Sequence, residues 1–168
     1  MNLKIKNQMN MPFKKIQILL IITVIIGCSK EKNTPNDTSS SNVWDGPVIY
    51  FEKKDETDQL NKINQDSITE NVIITRGNDG GQIFNIAKEN SSDKYKSPIG
   101  TEWAIGTLDQ IDSLIFESFR IAVKPQLIVG KKLVLHLIDD DIYINIEFKS
   151  WSKGKKGGFS YERTTSKN

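Results

Sequence analysis

The clearest pattern in this chain is an alternation of apolar and polar positions toward its C-terminal end. Every second residue is apolar over 133–137 and again over 142–148, and three aspartates separate the two runs. A period of two is typical of β-strands, because successive side chains point to opposite faces of a sheet. Two such runs on either side of a short polar turn predict a β-hairpin.

Shorter runs of the same kind predict further strands. The glycine-rich segments 77–81 and 154–158 favour turns between neighbouring strands, so 72–76 and 82–87 are predicted to form a second hairpin. The predicted additional strands are 48–52, 72–76, 82–87, 101–106, 113–117 and 159–163.

Helical signals are few and short. Thr107 and Gln110 have the spacing of a capping box before 108–112, and Ser118 precedes a second short helix at 119–124. Seven or eight short strands without a long helix predict a mostly-β fold, an antiparallel β-sandwich that is jelly-roll-like, or a barrel. An α+β sheet with one packed helix is the alternative.

The first 27 residues have the pattern of a leader rather than of a folded element. Lys14 and Lys15 precede an apolar run over 16–26, which has 11 residues. Because a membrane-spanning helix needs about 20 residues, this run is interpreted as the apolar region of a signal peptide. The start codon stays open among Met1, Met9 and Met11.

The run ends in Ile-Ile-Gly-Cys at 25–28, which resembles the lipobox of bacterial lipoproteins. The resemblance implies cleavage before Cys28 and a lipid on its sulfur. Acyl chains contribute about 0.8 kcal/mol per buried methylene, so two or more chains give a stable membrane anchor. An ordinary secretory signal with an unrelated cysteine is the alternative.

The residues after Cys28 bear on the destination of the protein. They read Ser-Lys-Glu-Lys, without an aspartate next to the cysteine. This resembles Bacteroidota-type lipoproteins of the outer membrane, which face either the periplasm or the cell surface. Residues 28–43 are polar and predict a flexible tether, and 44–168 predict a single β-rich domain.

Charge and cysteine content exclude several classes of function. The whole chain has a formal charge of +2, but four of its 23 basic residues lie in the leader, so 19 basic against 21 acidic residues remain. Such a domain lacks the basic excess of a nucleic-acid-binding protein. A single cysteine allows no internal disulfide, and one cysteine with one histidine gives no zinc cluster. No cofactor and no catalytic residue is predicted.

Two residue types in the hairpin are candidates for a site. Asp139, Asp140 and Asp141 are candidate oxygen ligands for calcium, although aspartate is also favoured in turns for conformational reasons. His136 lies between two leucines and is interpreted as a structural strand residue, with a ligand or base role as the alternative.

Aromatic residues at strands and strand ends form the other candidate. Trp103, Tyr143, Trp151 and Tyr161 could stack on sugar rings, and packing in the core is the alternative interpretation. By their alternation, Tyr143 and Trp151 are predicted to share the face of their strand opposite the isoleucines.

Four segments together resemble an uncharacterised β-rich domain of secreted and lipid-anchored bacterial proteins. They contain ITENVIITRG, SPIGTEWAIGT, HLIDDDIYINIEFKSW and GGFSYERTT, and they lie within 66–165. The resemblance implies an extracytoplasmic module without an assigned activity. The expected function is therefore non-catalytic binding of a glycan or an envelope protein, and the alternatives are a hydrolase using carboxylates or a structural envelope component.

Overall fold

The structure, a computed structural model, describes residues 42–167. The predicted leader 1–27, Cys28 and all but the last two residues of the predicted tether lie outside the described residues. One short α-helix, α1 (Phe119–Val123), packs against a strand. The strands are β1 (Asn42–Trp44), β2 (Val48–Lys53), β3 (Asp66–Ser67), β4 (Ile73–Arg76), β5 (Ile83–Asn85), β6 (Thr101–Ile105), β7 (Lys132–Leu137), β8 (Ile142–Trp151) and β9 (Phe159–Thr164).

Two sheets share one hydrophobic core. The larger sheet has the order β2-β9-β8-β7-β6 in antiparallel pairs, and β1 pairs in parallel with the first residues of β8. The smaller sheet has the antiparallel order β3-β4-β5. Buried residues of both sheets belong to the same core cluster, for example Ile74 and Ile83 of the smaller sheet and Leu135 and Ile144 of the larger. The predicted antiparallel β-sandwich class is confirmed.

Most of the predicted strands are present. Leu137 pairs with Ile142 across the aspartate turn, which confirms the hairpin, and β4 pairs with β5 as predicted. The strand predicted at 113–117 is wrong, because only Glu117 forms a bridge, to Trp103. Neither β1 nor β3 was predicted, since three and two residues are too short to show an alternation.

The helical segments differ in detail from the prediction. The segment after Thr107 is a 3-10 helix, Leu108–Ser113, and the Thr107 backbone N–H donates to Gln110 Oε1 at 3.2 Å. At the start of α1 the predicted cap Ser118 makes no capping bond, and the Phe119 N–H donates to Ser97 Oγ at 2.9 Å instead. No helix within 42–167 has the length and apolarity to cross a membrane.

A buried ion pair connects the two sheets. Asp66 of β3 accepts hydrogen bonds from Arg163 Nε at 2.6 Å and Nη2 at 2.8 Å, and from the Tyr161 hydroxyl at 2.7 Å. Burial raises the pKa of Tyr161 well above its usual value, and the charge of Asp66 raises it further. Burial alone would lower the pKa of Arg163, but the hydrogen bonds and charge of Asp66 outweigh burial, so this pKa is raised. The contacts stabilise the charged arginine and the protonated tyrosine.

A β-bulge in β8 changes which side chains face the core. Phe148 pairs with Tyr161 and Ser150 pairs with Ser160, so Lys149 is the extra residue. A bulge reverses the alternation beyond it. The Trp151 ring therefore packs in the core cluster, and the prediction that it shares the face of Tyr143 is wrong.

Candidate functional site

The four aromatic residues predicted to stack on a ligand do not form one surface. Trp103 and Tyr161 are 0% exposed, so their rings are enclosed by the core and the stacking prediction is wrong for them. Tyr143 and Trp151 are half-buried. The alternation of their strands places Trp103 and Tyr161 on the core face, where large aromatic rings bury the most apolar area.

The three aspartates of the predicted calcium site point to different protein groups. Carboxylates that hold one cation must converge on it, and no group of three or more His, Cys, Asp or Glu residues within 42–167 has the geometry to hold a metal. In this structure the three carboxylates thus do not converge on one point, and calcium binding at this turn stays a prediction. The observed contacts are an ion pair of Asp139 with Lys88, hydrogen bonds to Asp140 from Thr69 Oγ1 (2.6 Å) and Asn71 Nδ2 (2.7 Å), and a contact of Asp141 Oδ1 with His136 Nε2 (3.2 Å).

His136 lies in an enclosed cluster on the outer face of the larger sheet. Its Nδ1 lies 2.7 Å from Glu102 Oε1, and its ring stacks on Tyr143 with 4.0 Å between centroids. Phe116 meets the ring edge-on, and Asp141 contacts Nε2. Both nitrogens of the imidazole have a partner, one face is covered by Tyr143, and Phe116 lies beside the stacked pair, which gives His136 a packing and hydrogen-bonding role in this structure.

A concave site lies where one end of the smaller sheet meets the end of β8. This basic pocket has a volume of about 300 Å³, and every charged residue that lines it is basic. The hairpin of the smaller sheet, the turn after β8, α1 and the segment after α1 each contribute to it. The side chains that line it are those of Arg76, Gln82, Arg120, Pro125, Gln126, Trp151, Ser152 and Lys153.

Arg76 forms the floor of the basic pocket. It is 2% exposed, and its guanidinium carbon lies 3.9 Å from the centroid of the Trp151 ring. Nε donates to Gly81 O at 3.0 Å, and Nη1 donates to Ser152 O at 3.0 Å and Gly158 O at 2.9 Å. A guanidinium has five N–H groups, so these bonds use three and leave the two on Nη2.

No carboxylate within 42–167 lies within ion-pair distance of Arg76. Burial lowers the pKa of Arg76 to about 10, and the charges of Asp79 and Asp55 oppose the decrease. Burying a cation is costly unless it is paired or fully hydrogen-bonded. The positive charge at this pocket is thus only partly compensated by the protein.

A second buried cation lies close to the first. Lys53 is 1% exposed, and its Nζ donates to Asn78 Oδ1 at 3.1 Å. Burial lowers the pKa of Lys53, the positive charge of Arg76 lowers it further, and Asp55 and Asp58 oppose the shift. Two buried cations therefore lie near each other at this end of the sandwich, and the charges of Asp55, Asp58 and Asp79 partly offset them.

Gln82 contributes a buried acceptor that has no partner among the described residues. Gln82 is 2% exposed and lines the basic pocket. Its Nε2 donates to Asp93 O at 2.7 Å and Lys96 O at 2.5 Å. Two carbonyl acceptors fix the orientation of the amide, which leaves Oε1 unpaired. A buried unpaired acceptor costs about 1–3 kcal/mol, so a donor from a ligand would be stabilising.

The turn after β8 can approach the turn between β4 and β5 only because Gly157 has no side chain. Gly157 has φ +74°, and a Cβ built there would lie 2.6 Å from Gly77 O. We expect Gly157→Ala to lower the free energy of unfolding by about 2–4 kcal/mol, from the left-handed backbone and the clash together. Chemical denaturation measures this.

Gly130→Ala is the matched control, because Gly130 has φ +77° and no atom within 4 Å of a built Cβ. Gly130→Ala should lower the free energy of unfolding by only about 1–2 kcal/mol, because it has the cost of the left-handed backbone without the clash. Equal losses in the two variants would show that the close approach at Gly157 is relaxed in solution.

Comparisons with known proteins give no relative for this chain: no family model, no curated protein and no solved structure matches it. The site is therefore interpreted from its own geometry.

Sequence reasoning missed Arg76 and Gln82. Their position could have indicated them, because the two residues flank the Gly77–Gly81 turn of a predicted hairpin. Arg76 ends the first strand of that hairpin and Gln82 precedes the second. A basic residue at the end of an apolar run usually indicates a strand end that is exposed to solvent. Only the turn after β8, which covers Arg76 with Ser152 and Gly158, makes it buried.

Proposed function

We propose that this chain is a lipid-anchored, extracytoplasmic and non-catalytic binding module, whose ligand is negatively charged and occupies the basic pocket. The observation that carries the proposal is the combination, in one pocket, of a buried arginine without a carboxylate partner and a buried amide oxygen without a donor. A ligand with an anionic group pairs with the arginine, and a donor on that ligand satisfies the amide oxygen if the side chain turns its oxygen toward the pocket.

The lining of the basic pocket favours binding over hydrolysis. It contains no carboxylate, histidine or cysteine among the described residues. Carboxylates, histidines and cysteines are the most frequent general acids, bases and nucleophiles, and Ser152 and Lys153, which do line the pocket, have no such group beside them in the lining to activate them. Arginine and lysine side chains donate hydrogen bonds to an anion, and the backbone carbonyls that accept from Arg76 keep its guanidinium in place.

The charge requirement is tested by thermal denaturation of the purified lipoprotein in detergent with millimolar acetate, phosphate or sulfate at constant ionic strength. A ligand that binds only the folded state raises the melting temperature. We expect at least one anion to raise it in the native protein and not in Arg120→Glu/Lys153→Glu. No stabilisation by any of the three would contradict an anion site.

The membrane anchor depends on one thiol. We expect Cys28→Ser to move the protein from the detergent-soluble membrane fraction to the aqueous fraction, because the acyl chains account for the anchoring. Fractionation of cells, together with metabolic labelling by a fatty acid, measures both properties.

The neighbouring Ser29→Ala is the control and should remain membrane-bound and labelled. An unlabelled wild-type protein, or a Cys28→Ser protein that still needs detergent, would rule out lipidation at this residue. The pocket would then belong to a secreted protein without this anchor.

A further inference from the structure

We infer that the ligand of the basic pocket is an acidic saccharide, a sugar ring that carries a carboxylate, as in a uronic acid. This inference rests on the proposed function and narrows it to one chemical class. Three features of the pocket define the class: the remaining donors of Arg76, the unpaired acceptor of Gln82, and the polar lining between them.

The carboxylate position is defined by Arg76. Its Nη2 carries two N–H groups outside the three backbone hydrogen bonds, and the stack on Trp151 fixes the plane of the guanidinium. Arg120 and Lys153, both exposed, line the same pocket. A carboxylate there accepts hydrogen bonds from a preoriented guanidinium and gains attraction from two further cations.

The hydroxyl position is defined by Gln82. Its Nε2 is held by two carbonyls of the 93–96 segment, so Oε1 is available only as an acceptor. Acetate has no donor for it at neutral pH and hydrogen phosphate has only its P–OH, whereas a sugar acid has several hydroxyls around a ring. Gln126 and Ser152 add further polar groups to the lining.

The lining offers little to an apolar side chain. Pro125 and Trp151 are the apolar residues with side chains in it, and one face of the Trp151 ring is covered by Arg76. A peptide with a free C-terminus would supply a carboxylate and an N–H donor, but its side chain would have no apolar surface to bury. A ring with hydroxyls around it matches the polar lining better.

The concave surface continues beyond the basic pocket. A second depression shares Arg120, Pro125 and Gln126 with it and adds Lys124 and the exposed Leu127. A second acidic sugar joined to the first would lie along these residues. We therefore expect affinity to rise with chain length from one to two or three uronic acid units.

Titration calorimetry with the purified lipoprotein in detergent tests the inference. The probes are galacturonate, its uncharged amide, galactose, acetate, phosphate and N-acetyl-alanyl-alanine, followed by di- and trigalacturonate. We expect galacturonate to bind at least tenfold more tightly than its amide, galactose, acetate or phosphate, and trigalacturonate to bind more tightly than the monomer.

Other outcomes separate the two proposals. If acetate or phosphate binds as tightly as galacturonate, the anion site stands and the saccharide inference fails. If the dipeptide binds more tightly than every uronate, the ligand class is peptide and the inference fails. If none of the anions binds, the inference and the proposed function both fail.

Charge reversals locate the binding. Lys153→Glu should weaken galacturonate binding at least tenfold, because it places a repulsive charge in the pocket. Lys132→Glu makes the same change in charge at an exposed lysine that does not line this pocket, and it should change the affinity less than twofold. Equal effects of the two variants would indicate a general effect of net charge and would contradict binding in the pocket.

Discussion

Replacing Asp66 with alanine is expected to lower the free energy of unfolding by about 3–5 kcal/mol. The carboxylate accepts two hydrogen bonds from Arg163 and one from Tyr161. The side chains of the ion pair are 7% and 5% exposed, so water cannot replace the lost partner. The substitution leaves a buried guanidinium without its anion and removes the polar link between the two sheets.

Urea denaturation of the two purified proteins measures this loss. The matched control is Asp45→Ala, because Asp45 also pairs with a basic residue, Lys167, but in an exposed position. Exposed ion pairs contribute about 0–1 kcal/mol. A decrease in the free energy of unfolding below about 1 kcal/mol for Asp66→Ala would contradict this account. It would mean that another group or water hydrogen-bonds Arg163 in the variant and that the packing of the sheets does not depend on this contact.

Replacing Arg76 with alanine is expected to lower the free energy of unfolding by about 2–4 kcal/mol. The carbonyls of Gly81 and Ser152 lose the donor that Arg76 provides, whereas Gly158 O keeps its hydrogen bond from the Ser152 N–H. A carbonyl that loses its donor costs about 1–3 kcal/mol when buried, and toward the lower end for these two part-buried carbonyls, while the cation–π contact with Trp151 contributes about 0.5–1 kcal/mol more. Arg76→Lys should also lower the stability of the fold, since the single ammonium group of lysine cannot reach the carbonyls that the two guanidinium nitrogens reach.

Arg120→Ala is the informative companion. Arg120 lines the same pocket but is exposed, so its removal should change stability by less than about 0.5 kcal/mol while it weakens anion binding. The pair of variants separates the structural role of Arg76 from the binding role of the pocket. If Arg76→Ala were as stable as wild type, the backbone carbonyls around it would have to be solvated, and the buried cation would not define the site.

The strands of the sandwich were predictable where the alternation is long. Residues 133–149 read as a hairpin because a helix would spread the same apolar residues around its circumference, and the structure has that hairpin. β1 was not predictable, because its three residues pair in parallel with a strand about 100 positions away and show no local pattern. The bulge at Lys149 also has no local signal, and it alone decides the direction of Trp151.

The candidate site was less predictable than the fold. The sequence offered visible residue types, three adjacent aspartates and several aromatic residues, and the structure gives most of them protein partners or core positions. The pocket depends instead on Arg76 and Gln82, whose burial arises from segments distant in sequence. Arg76, Trp151 and Gly158 are far apart in the sequence, and the structure brings these three together.

The most direct test of the basic pocket uses the chain's own tryptophans. The indole N–H signals are followed in nitrogen-15 correlation spectra during a galacturonate titration. Trp151 lines the pocket, whereas Trp103 is fully buried and its indole N–H donates to Thr101 Oγ1 at 3.0 Å. We expect the Trp151 signal to shift in a saturable way while the Trp103 signal stays in place. A Trp151 signal that does not move at saturating sugar acid, or equal shifts of both signals, would contradict binding at this site.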